Sequence, residues 1–171
     1  FITPRWYHYS TVTSTVTASA YLAAGCPEEA RTEIRLGLAA ATERNAWGYR
    51  PTLLRLDAEL LAQEDPTGAR ERLEEALALA VELEMRPEVA HCHLGLGKLY
   101  RRTGTRQEAQ QHLATATTMY REMDMRFWLE RAEAEMKELT GSANRISIHA
   151  RRDPYEERPD GGRGKHPHDQ D

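Results

Sequence analysis

The sequence predicts an all-α chain: a right-handed superhelical stack of helical hairpins, closed by one capping helix and followed by a disordered tail. Three observations predict it. Strong helix formers with apolar residues at a 3.6-residue period fill most of the first 140 residues. Glycine and proline punctuate that stretch at even intervals. The chain also matches itself when shifted by 39 to 40 residues, as a repeat architecture does.

Composition narrows the class further. Of 171 residues, 40% are hydrophobic and 29% charged, which excludes both a membrane protein and a wholly disordered chain. A net charge of −4 excludes a broadly basic nucleic-acid binder. Two cysteines, Cys26 and Cys92, make no disulfide scaffold, so a reducing, cytoplasmic setting is expected. No apolar run approaches the roughly 18 residues of a membrane helix, and no signal peptide opens the chain. Opening on Phe1 rather than Met suggests the last part of a larger protein.

The first hairpin is expected over about 7–44. Thr11 to Thr17 is β-branched and poor helix material, yet the register and the packing partner require it to be helical. Gly25 suits a left-handed helix end and Pro27 a first helical position. The second hairpin, over 47–84, has a loose first helix with Leu53, Leu56, Asp57 and Leu60. Its second helix opens on Pro66 after Asp65 and carries Ala69, Leu73 and Ala76. In the third, over 87–123, Pro87 opens the pair and Gly104 divides it. Thr105 with Glu108 gives a capping-box signature. A lone helix over 126–140 buries Leu129, Ala132, Met136 and Leu139 and backs them with charge, as a solenoid end requires. From Gly141 to Asp171 the residues are polar, with three glycines and three prolines after Ala150, and a disordered tail is expected.

The three copies share columns. Tyr21, Leu60 and Tyr100 align, as do Ala30, Ala69 and Ala109, and then Gly37, Ala76 and Ala116. Gly25 and Gly104 align as well. The third copy, His93-x2-Leu96-Gly97-x2-Tyr100-x3-Gly104-x4-Ala109-x3-Leu113-x2-Ala116, resembles the tetratricopeptide repeat, with His in the aromatic slot. The resemblance implies that Gly97 and Ala109 lie where two helices cross, that Tyr100 fills the space below, and that Leu113 and Ala116 dock on the next unit. The period exceeds the family's usual 34, which implies second helices longer by about a turn and a half. The phrasing from Leu83 to Glu130 is further similar to C-terminal repeat arrays of large bacterial signalling ATPases, often fused to nucleotide cyclase or DNA-binding regulator domains.

Chemistry is sparse. His91, Cys92 and His93 are adjacent, so on a helix they diverge by about 100° and share no ion; no metal or cofactor is expected. Gly95-Leu96-Gly97-Lys98 lacks the span and hydroxyl of a phosphate loop. No catalytic constellation is visible, and the expected function is binding rather than catalysis. The inner wall of such a stack would expose His91, Leu94, Lys98, Arg101 and Arg102 from the third copy. From the second it would expose Pro51, Leu54, Ala58, Leu61 and Ala62, and from the first Val12, Thr15, Ser19, Leu22 and Ala23. That wall would run from apolar to basic and suit an acidic or C-terminal segment resting on Leu54 and Leu61, belonging to another protein or to the parent chain. Arg101 and Arg102 serve equally well as complements to the C-terminal end of their own helix. Phe127 and Trp128 are expected to close the core beneath Leu83 and Met123. The alternatives are a small-molecule-sensing array and a self-association scaffold.

Overall fold

The computed structural model describes the backbone of residues 6–43 and 46–150, and side-chain environments over 11–43 and 46–141. Seven α-helices follow one another: α1 (Trp6–Ala24), α2 (Pro27–Glu43), α3 (Arg50–Leu61), α4 (Pro66–Glu82), α5 (Arg86–Thr103), α6 (Arg106–Glu122) and α7 (Arg126–Ala150). One 3-10 turn, Trp47–Tyr49, precedes α3, and no strand occurs among the described residues. Each helix packs on its sequence neighbours, and the first helices of successive hairpins also touch: α1 on α3, α3 on α5, α5 on α7. The result is a tetratricopeptide-like solenoid rather than a globule around one centre.

The core is accordingly a chain of local clusters. Ala18, Ile34 and Leu56 form one between the first two hairpins. Ala58, Ala69, Leu73, Leu96 and Leu99 form another between the second and third. Ala109, Leu113, Ala116 and Tyr120 pack with Ala132 and Leu139 to seat α7. Close approach explains the glycines. A Cβ on Gly97 would lie 2.6 Å from Cγ of Leu113, so α5 and α6 meet at a distance only hydrogen permits. A Cβ on Gly37 would lie 2.9 Å from Leu53 and 3.2 Å from Ser14. That convergence leaves room at position 14 only for a small residue, Ser14.

Local sequence sets the ends. Gly25 and Gly104 adopt φ of +73° and +87°, closing α1 and α5. Asp65 caps α4 through a 3.0 Å bond from the Gly68 amide. In α1, Thr15, Thr17 and Ser19 donate to the carbonyls four residues earlier at 2.8, 2.8 and 3.0 Å. The hydroxyls that make these residues poor helix formers are thus satisfied inside the helix.

Three expectations need correction. Tyr21 does not pack as Tyr100 does: it is 38% exposed, and Leu22, one residue on, joins the cluster with Ile34 and Leu56. α1 is therefore turned by about one residue from the repeat register. Thr105 begins α6 but forms no capping box, because its hydroxyl turns back to the Tyr100 carbonyl at 3.4 Å. α7 runs ten residues past Thr140, to Ala150. Gly141 alone costs a helix only about 1 kcal/mol, and the next proline is Pro154. Residues 151–171 of the expected tail lie outside the described residues.

Candidate functional site

α3, α5 and α7 enclose a groove of about 350 Å³. Each contributes one stripe. α5 supplies His91, Leu94, Lys98, Arg101 and Arg102, the residues expected of it, at spacings of three and four. α3 supplies Arg55, Ala58 and Glu59, and the turn that follows it supplies Ala62 and Gln63. α7 supplies Trp128, Arg131 and Glu135.

The second-copy expectation is only partly met. Leu54 is 1% exposed and packs with Ala76 and Cys92 where α3, α4 and α5 meet; it does not line this groove. Leu61 packs against the Ala58–Leu73 cluster and Pro51 is buried. The groove residues of α1 expected from the register, Val12, Thr15, Ser19, Leu22 and Ala23, are likewise not among its walls. The missed residues had a visible signal, since Arg55, Glu59 and Gln63 are polar at a spacing of four. Nothing comparable pointed to Trp128, Arg131 and Glu135.

One end of the groove is aromatic. The His91 ring meets Trp128 edge-on at 4.5 Å and Tyr120 at 5.5 Å. His91 Nδ1 lies 2.7 Å from the hydroxyl of Tyr120, whose side chain is fully buried. Burial pushes the Tyr120 phenol up, so it keeps its proton and needs an acceptor. It therefore donates to Nδ1, and His91 carries its own proton on Nε2. Burial, with help from Arg55 and against Glu88, holds His91 down at about 4, so the ring is neutral near pH 7. Phe127 is 63% exposed rather than core-closing, and stands edge-on to Trp128 at 5.3 Å.

The rest of the lining is charged, but most of its charge is already matched. Arg55 pairs with the buried Glu88 at 2.5 Å, and Glu88 also accepts from Thr52 at 3.1 Å. Glu135 holds Lys98 at 3.7 Å and Arg101 at 2.8 Å, and Glu138 takes Arg101 at 2.9 Å. Arg131 lies over the Trp128 ring at 5.2 Å and over Phe127 at 5.6 Å. Among the described residues, no carboxylate lies within 4.0 Å of Arg102 or Arg131. The groove is thus less basic than α5 alone suggests.

The neighbours of His91 point elsewhere. Cys92 is fully buried with Leu54 and Ala76, and burial, reinforced by Glu88, pushes its thiol up to about 12. It supplies no thiolate. His93 meets His112 of α6, Nδ1 to Nδ1 at 2.9 Å, and His112 stacks on Tyr100. Burial lowers both histidines, so one ring donates to the other and neither is charged near pH 7.

A tetratricopeptide repeat family profile matches residues 58–122. Over that stretch the chain matches the tetratricopeptide repeat. The matched span begins within α3 and ends with α6, so it contains the groove walls of α5 and part of those of α3. Comparisons with curated proteins and with solved structures find no match. Tetratricopeptide arrays generally mediate protein–protein interaction and are typically not catalytic. Among the described residues of this repeat protein, no helix is long and apolar enough to cross a membrane.

Proposed function

We propose that this repeat protein binds a segment of another protein, or of its own polypeptide, in the groove between α3, α5 and α7, and that the segment is negatively charged. The observation that carries the reading is that Arg102 and Arg131 line the groove beside an aromatic wall with no carboxylate partner among the described residues. A fork of fixed donors suits a carboxylate, and Trp128 offers apolar surface beside it. The likeness of Leu83–Glu130 to arrays in bacterial signalling ATPases supports a signalling or regulatory setting for that partner.

The test is fluorescence anisotropy with an acidic peptide on the parent protein and on Arg102→Glu/Arg131→Glu. Both positions border solvent, so the melt should stay within about 1 kcal/mol of the parent. Binding should weaken by about 30-fold, near 2 kcal/mol, from the lost charge-assisted contacts. Equal binding by both proteins would exclude this groove as the site.

A further inference from the structure

We infer that Glu135 and Glu138 of α7 limit the groove to recognising one anionic group of a ligand, so that an acidic run gains nothing over a single acid. This inference rests on the groove reading above and adds the class of segment taken. Five cations line the groove: Arg55, Lys98, Arg101, Arg102 and Arg131. Four carboxylates stand among them, Glu59 and Glu135 in the lining, Glu88 on Arg55 and Glu138 on Arg101. One positive charge is left in excess.

Position matters as much as number. Lys98 and Arg101 are held by a carboxylate pair one helical turn apart on a helix that is itself anchored to α6 through Ala132 and Leu139. Glu135 is four-fifths buried by the contact. Being tethered, these carboxylates cost no association entropy, whereas a ligand's carboxylates would have to displace them. A second or third acidic residue of a ligand therefore meets paired charge instead of free cation and adds no affinity. Among the described residues, the groove cations left without a carboxylate are Arg102 and Arg131, the latter oriented by the faces of Trp128 and Phe127. The ligand implied is a segment with a single Asp or Glu flanked by apolar or aromatic residues that rest on Trp128.

Three peptides of one length test this by anisotropy at low salt: neutral, with one Asp, and with four consecutive Glu, all on a common aromatic-containing background. On the parent protein the one-Asp and four-Glu peptides should bind within about threefold of each other, both at least tenfold tighter than the neutral one. In Glu135→Gln/Glu138→Gln, Lys98 and Arg101 are released, and the four-Glu peptide alone should gain tenfold or more. Glu138→Gln, at a side chain 63% exposed, should show a smaller gain and guards against a folding defect in the double variant. A parent that already prefers the four-Glu peptide tenfold, or a double variant with an unchanged melt and no gain, overturns the inference while leaving the groove reading in place. Failure of both proteins to bind any of the peptides overturns the two together.

Discussion

Gly97→Val is expected to lower the melting midpoint of the array by roughly 10 °C, equivalent to a loss on the order of 3 kcal/mol. The Cβ alone would sit 2.6 Å from Cγ and 2.7 Å from Cδ2 of Leu113, and 3.3 Å from the Leu113 backbone nitrogen. Leu113 is fully buried between Ala109 and Ala116 and cannot swing aside. Two further methyls on a β-branched carbon would force α5 and α6 apart. Gly97→Ala should cost less, because part of the overlap is offset by about 1 kcal/mol of helix propensity. Gly141→Ala is the control: nothing lies within 4 Å of its Cβ, so it should not lower stability at all. Thermal melts by circular dichroism decide the order. If Gly97→Val melts with the parent, the helices do not cross where the structure places them.

Stability should also fall as the solution is acidified from pH 6.5 towards 4, with His91 as the largest single cause. Its folded-state value is depressed to about 4 from an ordinary 6.5, chiefly by burial against Trp128 and Tyr120. Between those values the unfolded chain binds a proton that the folded chain refuses. The contribution of neutral His91 is therefore complete above about pH 6.5 and is lost as pH drops through 4. The shift corresponds to about 3 kcal/mol. His93 and His112 are lowered too and add in the same direction. Most Asp and Glu side chains remain ionised above pH 4.5, so the upper part of the window isolates the histidines. Urea unfolding at pH 7.5, 6.5, 5.5 and 4.5 measures the slope. His91→Gln keeps an acceptor for the Tyr120 hydroxyl but cannot titrate, and should flatten much of the curve. A parent protein equally stable at pH 7.5 and 4.5 would contradict the placement of His91.

The sequence made the hairpins legible because backbone crossings demand small residues at fixed spacing. Ala69, Ala109 and Ala116 are fully buried, and Gly97 sits at the tightest crossing. The groove face of α5 was legible for the same reason, since one helix with a firm register exposes one stripe. The limit came where an answer depends on two helices at once. Leu54 and Leu61 share their register with Leu94 and Arg101, yet α3 turns them into the core and presents Arg55 and Glu59 instead. Tyr21 shares a column with Tyr100, but Leu22 takes its packing role. Charge was the least legible quantity. Lys98 and Arg101 read as a free basic patch, and only the crossing of α7 over α5 brings Glu135 and Glu138 onto them. Gly141 read as a boundary through composition, whereas a helix needs a proline or a stronger break to stop.

The most direct test of the account follows the indole N–H signals during titration with a one-Asp peptide in an NMR experiment. Trp128 lines the groove, whereas Trp47 lies in the 3-10 turn before α3, outside it. The account predicts that the Trp128 indole moves progressively to saturation, with the amides of Arg102 and Arg131, while Trp47 stays in place. Saturable binding that shifts Trp47 and leaves Trp128 unmoved would place the partner on another face and contradict the groove assignment.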